Sequence, residues 1–154
     1  MKHSVLMLLT FMSVLISSAS SCKKNDDSIN IESNSTMANG KIRIKVNSKI
    51  FTATLLDNSS AKAFKEMLPL TIHMTELNGN EKYYDLAASL PTNSSNPQTI
   101  KNGDLMLYGS RTLVVFYKTF STSYSYTKLG TIDDVTGLAS ALGAGNVTVT
   151  FELE

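Results

Sequence analysis

Aromatic side chains around one predicted hairpin are the residues of this sequence best suited to recognition. They are Tyr108, Phe116, Tyr117, Phe120, Tyr124 and Tyr126. Tyrosines interspersed with Ser and Thr make adaptable contacts at low entropic cost, as many binding surfaces do. The pattern predicts a cleft for a peptide or small ligand between a hairpin over 105–117 and the loop after it. Core packing is the favoured interpretation of Phe116 and an alternative for Tyr117, and it stays open for Tyr124 and Tyr126.

One arginine lies beside these aromatic residues. Arg111 follows Gly109-Ser110, which places it in the turn of the hairpin close to Tyr108. Its guanidinium would either reach the adjoining cleft or serve as an ordinary charged turn residue. The other arginine, Arg43, alternates with lysines on an earlier strand and is expected to face solvent. The candidate ligand-binding residues are therefore Tyr108, Arg111, Phe120, Tyr124 and Tyr126.

Other kinds of site find little support. His73 shares one face of a predicted strand with Thr71 and Thr75, and no Gly-x-Ser-x-Gly nucleophile motif accompanies it. Asp133-Asp134 is predicted to cap a helix, and Gly143-Ala144-Gly145 follows a helix, unlike a phosphate loop. We predict no metal and no cofactor. The net charge of +1, without a basic block, argues against nucleic-acid binding.

The N-terminal segment has the order of a secretory signal. Met1-Lys2-His3 is basic, residues 5–16 are mostly apolar, and residues 17–21 are all Ser or Ala. The apolar run is too short for a transmembrane helix. Ala19-Ser20-Ser21-Cys22 resembles the lipobox of bacterial lipoproteins, in which a signal peptidase cleaves before a lipid-modified cysteine. We predict a lipoprotein signal peptide over 1–21 and lipidation of Cys22, with a buried thiol or a plain signal peptide as alternatives.

Residues 22–39 are polar and charged, with only isolated apolar side chains. Such a segment cannot bury enough apolar surface to offset its ordering entropy, so we predict a flexible tether. Residues 23–27, KKNDD, resemble the lysine-plus-acidic export signals of some bacterial surface lipoproteins, with a solvated linker as the alternative. The expected location is the bacterial cell envelope, lipid-anchored, and the choice between periplasm and outer surface stays open.

The elements that must position the aromatic cluster begin near residue 40. Apolar residues alternate with basic ones over 41–46, and residues 51–55 supply the return strand of a hairpin. Asn58-Ser59-Ser60 offers caps for a helix that ends at Pro69. Asp133-Asp134 is expected to cap a second helix with the apolar stripe Val135, Leu138, Ala139 and Leu142.

The remaining segments are predicted to be strands. Residues 105–108 and 113–117 are apolar on both faces, which is typical of central strands covered on each side. Further strands are predicted over 70–74, near 83–84, up to 132 and over 147–153. About eight strands and two helices predict a mainly β fold, a closed or nearly closed barrel over 40–154.

The order of these segments resembles the bacterial cyclophilin-like domain proteins. It is carried by AKAFKEMLPLTI, GDLMLYGSRTLVVFYK, FSTSYSYTKLG, DDVTGLASALG and VTVTFEL. The resemblance implies an eight-stranded barrel with two helices and brings no established activity.

Three functions stay open on this basis. The first is a non-catalytic module on a lipid tether that binds a peptide or small ligand. The second, implied by the likeness of the 103–118 hairpin to the active face of true cyclophilins, is a weak prolyl isomerase using Arg111. The third, implied by the family's domain fusions, is an accessory domain for a flavodoxin-type redox partner.

Overall fold

The computed structural model describes residues 40–154. The predicted signal peptide, the lipidation site Cys22 and the tether lie outside these residues. The strands are β1 (Lys41–Val46), β2 (Lys49–Leu55), β3 (Leu70–Leu77), β4 (Glu81–Asp85), β5 (Thr99–Ile100), β6 (Asp104–Tyr108), β7 (Thr112–Phe116), β8 (Phe120–Ser121), β9 (Thr127–Ile132) and β10 (Val147–Leu153). The helices are α1 (Ser59–Glu66) and α2 (Leu138–Leu142).

Eight of the strands close into a barrel. Their order is β1-β10-β3-β4-β7-β6-β9-β2, and every neighbouring pair is antiparallel. The two remaining strands, β5 and β8, form a separate two-stranded sheet. The predicted mainly β barrel with two helices is therefore confirmed, and the short β5–β8 sheet is the addition that the sequence pattern did not indicate.

The barrel core follows from alternation along the strands. Ile42, Ile44 and Val46 are buried, while the residues between them carry ammonium or guanidinium groups at the surface. Helix α1 begins as expected, because the Asn58 side chain accepts a hydrogen bond from the Ala61 N–H. Its Phe64 is fully buried and packs edge-on against Phe151 of β10, with ring centroids 5.6 Å apart. The helix is thereby fixed to the barrel core.

The second helix is shorter than predicted, and Asp133-Asp134 does not cap it. Helix α2 starts at Leu138, with Gly137 in the left-handed region at its N-cap. The Asp133 carboxylate instead accepts from the Lys41 Nζ at 2.5 Å and the Thr54 hydroxyl at 2.6 Å. Its own N–H donates to the Thr52 carbonyl at 2.9 Å. Asp133 is therefore held against β1 and β2, and the Asp134 carboxylate accepts from the Thr136 N–H at 2.8 Å, ahead of the helix.

The two-sided apolar character of β6 and β7 has a structural explanation. One face of each strand contributes Leu105, Leu107, Leu113 and Val115 to the barrel core. The opposite face packs Met106, Val114 and Phe116 against Ile100 and Tyr126 in a second apolar cluster. The second cluster is formed with the segments that carry β5 and β8, which cover the outside of the barrel at these strands.

The pairing of β6 with β9 contains an irregularity at Gly130. Leu105 pairs with Gly130 and Met106 with Lys128, so Leu129 is the extra residue of a bulge. A Cβ on Gly130 would lie 2.5 Å from the Thr54 carbonyl oxygen of β2. The absence of a side chain here therefore lets β9 approach β2 and close the barrel.

Both helices are short, and residues 40–154 contain none with the length and apolarity that a membrane span requires.

Candidate functional site

A pocket of about 520 Å³ lies on the face of β4, β6 and β7 that carries the second apolar cluster. Strand β4 contributes Glu81, Tyr83 and Asp85, and β7 contributes Thr112 and Val114. Tyr108 at the end of β6 and residues 120–124 and 126 form the opposite wall. The volume lies in the range of small-ligand sites, which is about 300–1,000 Å³.

The wall opposite β4 is a connected group of aromatic rings. Tyr126 is buried and packs edge-on against Phe116 with a centroid distance of 5.5 Å. It also contacts Tyr108 at 5.6 Å, and Tyr108 in turn meets Tyr124 edge-on at 6.1 Å. Phe120 packs against Phe116 at 5.7 Å. The rings thus pass from the second apolar cluster to the solvent, where Tyr124 is 61% exposed.

The segment that carries these rings is held by another connection of the chain. Strand β8 pairs with β5, and Tyr126 forms an isolated antiparallel bridge with Ser95. The Asn96 side-chain amide donates to the Ser123 carbonyl at 3.2 Å, and the Thr122 N–H donates to the Gln98 carbonyl at 2.9 Å. The aromatic wall is therefore fixed by strand pairing and hydrogen bonds with residues 95–100.

Four of the five residues proposed from the sequence lie together. Tyr108, Phe120, Tyr124 and Tyr126 all line the pocket, whereas Arg111 is not among its lining residues. The Arg111 Nε donates to the Leu86 carbonyl at 2.9 Å, and the Arg111 carbonyl accepts from the Leu86 N–H at 2.8 Å. The arginine thus joins the hairpin turn to the segment after β4.

The β4 side of the pocket is acidic, which the sequence reasoning missed. Glu81 and Asp85 are its charged lining residues, and the lining includes no Lys, Arg or His. The Asp85 carboxylate accepts from the Thr112 hydroxyl at 2.6 Å. The available signal was the period-two spacing of Glu81, Tyr83 and Asp85, which becomes informative only once residues 81–85 are assigned to a strand.

Glu81 has no such partner. No hydrogen bond or ion pair reaches its carboxylate from residues 40–154, the part of the chain that is described. Desolvation by burial, with a smaller contribution from the charge of Glu76, raises the pKa of Glu81 above its ordinary value. Asn80, which also lines the pocket, has a buried side-chain oxygen for which the described residues supply no donor. On the β4 side, the Glu81 carboxylate is therefore the charged lining group for which residues 40–154 supply no donor.

A charged network lies next to the β4 side of the pocket. Lys82 is fully buried, and its ammonium donates to the Glu76 carboxylate and to the carbonyls of Gly143 and Gly145, at 2.8 and 2.7 Å. The Tyr117 hydroxyl donates to the same carboxylate at 2.7 Å. Burial, together with this hydrogen bond, raises the pKa of Tyr117 to about 12. All three donors of the Lys82 ammonium are thus used within the fold.

A smaller recess of about 270 Å³ lies on the other side of Tyr126. It contains Lys101, Asp104 and Lys128, and the Lys128 ammonium donates to the Asp104 carboxylate at 2.7 Å. Tyr126 therefore lies between the larger pocket, whose charged lining residues are acidic, and a recess that carries basic groups. Within residues 40–154, no group of three or more His, Cys, Asp or Glu side chains is placed to hold a metal ion.

Comparison with known proteins identifies the family. The model of the cyclophilin-like family matches residues 44–152. This chain belongs to the cyclophilin-like family. The resemblance seen in the sequence is thereby confirmed, and the matched range includes the pocket and all of the barrel except the start of β1 and the end of β10. A search of curated proteins finds no match.

Among solved structures, this cyclophilin-like chain is similar to the solution structure of the hypothetical protein AF2241 from Archaeoglobus fulgidus. The TM-score is 0.56 at 16% sequence identity, and the alignment covers 76% of this chain and 96% of the archaeal one. At that identity the likeness concerns the fold alone, which agrees with the closed barrel.

Proposed function

We propose that this cyclophilin-like domain is a non-catalytic binding module, and that the aromatic pocket beside β4 is its ligand site. The observation that carries the proposal is the convergence of Tyr108, Phe120, Tyr124 and Tyr126 on one pocket of small-ligand size. Aromatic rings offer large contact areas at low entropic cost, and the exposed rings of Tyr108 and Tyr124 are available to a ligand.

A prolyl isomerase mechanism has no comparable support. It would need a guanidinium near the amide nitrogen of the substrate, to weaken amide resonance over a barrier of about 18–20 kcal/mol. Arg111 uses its Nε at Leu86 and is not a lining residue of the pocket, and Arg43 pairs with Glu152 on the β1–β10 face. These are the two arginines of the chain. The accessory role for a flavodoxin-type redox partner stays a prediction that rests on the family's domain fusions.

We further propose that the module is attached to the bacterial cell envelope through lipid on Cys22. The support is the signal-like order of residues 1–21 and the single cysteine that follows it. Several acyl chains on one cysteine would anchor the protein stably without any membrane affinity of the domain itself. Expression of wild type and Cys22→Ala with a radiolabelled fatty acid tests this. Label in the wild type alone is expected, and equal labelling of both would overturn the anchor.

The ligand site is tested on the full-length protein in detergent. Tyrosine fluorescence and NMR shifts would be followed while a set of small-molecule fragments and proline-containing peptides is added. We expect at least one probe to bind, with affinity lost in the Tyr108→Ala/Tyr124→Ala variant. Ile50→Ala is a matched control, because Ile50 is 59% exposed and lies on β2, away from the pocket. Binding that is indifferent to the tyrosines would contradict the site.

The same preparation decides between binding and catalysis. Wild type is expected not to accelerate isomerisation of a proline-containing peptide. Acceleration by wild type that Arg111→Ala abolishes would replace the binding proposal with an isomerase.

A further inference from the structure

We propose that the aromatic pocket selects ligands that carry an organic cation, a protonated or quaternary ammonium on a short apolar stem. The charge would lie at the carboxylate of Glu81 and the stem among the tyrosine rings. This inference rests on the proposed function, since it names the class of ligand for the same pocket.

The charges that line the pocket have one sign. Glu81 and Asp85 are acidic, and no lining residue is basic. Asp85 already accepts from Thr112, whereas Glu81 lacks any hydrogen-bond donor among the described residues. A partly buried carboxylate without a partner is costly, because it has lost water without gaining a hydrogen bond. A ligand ammonium would supply the missing donor and charge, and an anionic ligand would be repelled.

The neighbouring cations of the chain do not fill this role. The Lys82 ammonium is committed to Glu76, Gly143 and Gly145, and the fold leaves it no free donor. Lys118 places its Nζ beside Gly79 and is not a lining residue. Lys101 and Lys128 lie in the recess beyond Tyr126. Among residues 40–154, none of these cations therefore neutralises the charge of Glu81, and the proposal assigns that role to a ligand.

Two further features of the pocket suit an ammonium on a carbon stem. Aromatic rings attract cations at their faces, and the rings of Tyr108 and Tyr124 stand almost perpendicular, at 89°. Within the aromatic wall, these two rings therefore have different orientations. A volume of about 520 Å³ exceeds the needs of a bare ion, so the cation is expected to be organic.

The ammonium has two possible sources, a free amine and a lysine side chain of a peptide. Both present the same head group and a comparable alkyl stem. The first arm of the experiment therefore uses n-pentylammonium, with n-pentanol and pentanoate as its neutral and anionic counterparts. The second arm uses the tripeptide acetyl-Gly-Lys-Gly-amide and its version with an acetylated lysine side chain. Tighter binding in one arm identifies the source.

Binding to full-length protein in detergent would be measured by NMR shifts and tyrosine fluorescence at pH 7. We expect the charged member of at least one arm to bind at least tenfold more tightly than its uncharged counterpart. Glu81→Gln should weaken the cation at least tenfold and leave n-pentanol unchanged. Glu66→Gln, an exposed acid on α1, is the matched control and should change neither.

The outcomes separate this inference from the proposed function. Equal binding of the neutral and cationic probes, or an unchanged cation affinity in Glu81→Gln, overturns the cation preference while the pocket stands as a ligand site. Absence of any binding by the cationic probes also overturns it. In that case the fragment and proline-peptide screen decides separately whether the pocket binds any ligand.

Discussion

Lys82 of β4 and Glu76 of β3 form an ion pair in which the lysine side chain is completely buried and the glutamate side chain is 18% exposed. The same ammonium holds the carbonyls of Gly143 and Gly145, which follow α2. The pair therefore ties two neighbouring strands to the connection between α2 and β10. Removing one member of such a pair leaves the other uncompensated.

Replacing Lys82 by Met is expected to lower the free energy of unfolding by about 3 kcal/mol, because Glu76 and two carbonyls lose their donor. Lys45→Met is the control, since Lys45 pairs with Glu152 at 2.9 Å at the surface, where an ion pair contributes less than about 1 kcal/mol. Urea denaturation of both variants measures the difference. Equal small losses would show that the buried network does not stabilise the fold.

Glu76 should make the protein sensitive to acid. Desolvation opposes its ionisation, but hydrogen bonds from Lys82, Tyr117 and the Gly79 N–H outweigh it and lower the pKa of Glu76 below its ordinary value of 4.5. Its stabilising contribution is therefore complete above pH 4.5 and is lost as the pH falls through the lowered pKa. Unfolding free energies measured from pH 7 to pH 3 should fall less steeply for Glu76→Gln than for wild type. Parallel curves would contradict this assignment.

The ionised carboxylate of Glu81 should affect the stability of the protein in the opposite direction to that of Glu76. The raised pKa of Glu81 means that the fold disfavours its charged form, so its carboxylate destabilises the protein above that pKa and not below pH 4.5. Glu76, Tyr117 and Tyr126 are the titratable groups that interact with it. Glu81→Gln is expected to raise the free energy of unfolding at pH 7, and thermal unfolding at pH 7 and pH 4 should show the gain shrinking in acid. A variant less stable than wild type at pH 7 would be contrary to this prediction.

Gly130 should tolerate no side chain. Its Cβ would lie 2.5 Å from the Thr54 carbonyl and 3.0 Å from the Leu55 Cα, and neither backbone atom can move without separating β2 from β9. Gly130→Ala is expected to cost about 2 kcal/mol of unfolding free energy, as overpacking does. Gly145→Ala is the control, because a Cβ there meets no atom within 4 Å. Similar thermal midpoints for the two variants would disprove the steric account.

The tyrosines of the pocket should divide into a ligand contact and a support. Tyr124 is 61% exposed, so Tyr124→Ala should weaken ligand binding and change stability by less than about 0.5 kcal/mol. Tyr126 is buried against Phe116, so Tyr126→Ala should also lower the free energy of unfolding, by about 3 kcal/mol. Denaturation and binding measured on the same samples test the division. A large loss of stability in Tyr124→Ala would contradict it.

The local parts of the fold could be predicted from the sequence. Alternation identified β1, β2 and β10, and Asn58 indicated the start of α1, because strand pattern and capping depend on nearby residues. The aromatic wall could be predicted for the same reason, since Tyr108 to Tyr126 lie within one hairpin and the loop after it. The placement of Asp133 could not be predicted from the sequence, because its partners Lys41 and Thr54 are distant in sequence.

Glu81 was missed for a related reason. It reaches the pocket only through the pairing of β4 with β7, and its distinctive property is a missing partner, which no residue pattern encodes. Arg111 was the opposite case, because its type and position suggested a reactive group, whereas its Nε is used at Leu86.

The β5–β8 sheet and the Ser95–Tyr126 bridge have a consequence for how this family can diversify. Residues 95–100 hold the aromatic wall in place, yet none of them lines the aromatic pocket. A change in the length or composition of that connection would shift the rings relative to β4 and alter the width of the pocket. If the pocket is the ligand site proposed above, relatives with identical lining residues would differ in the ligands they accept, and the difference would originate in residues that do not line the pocket.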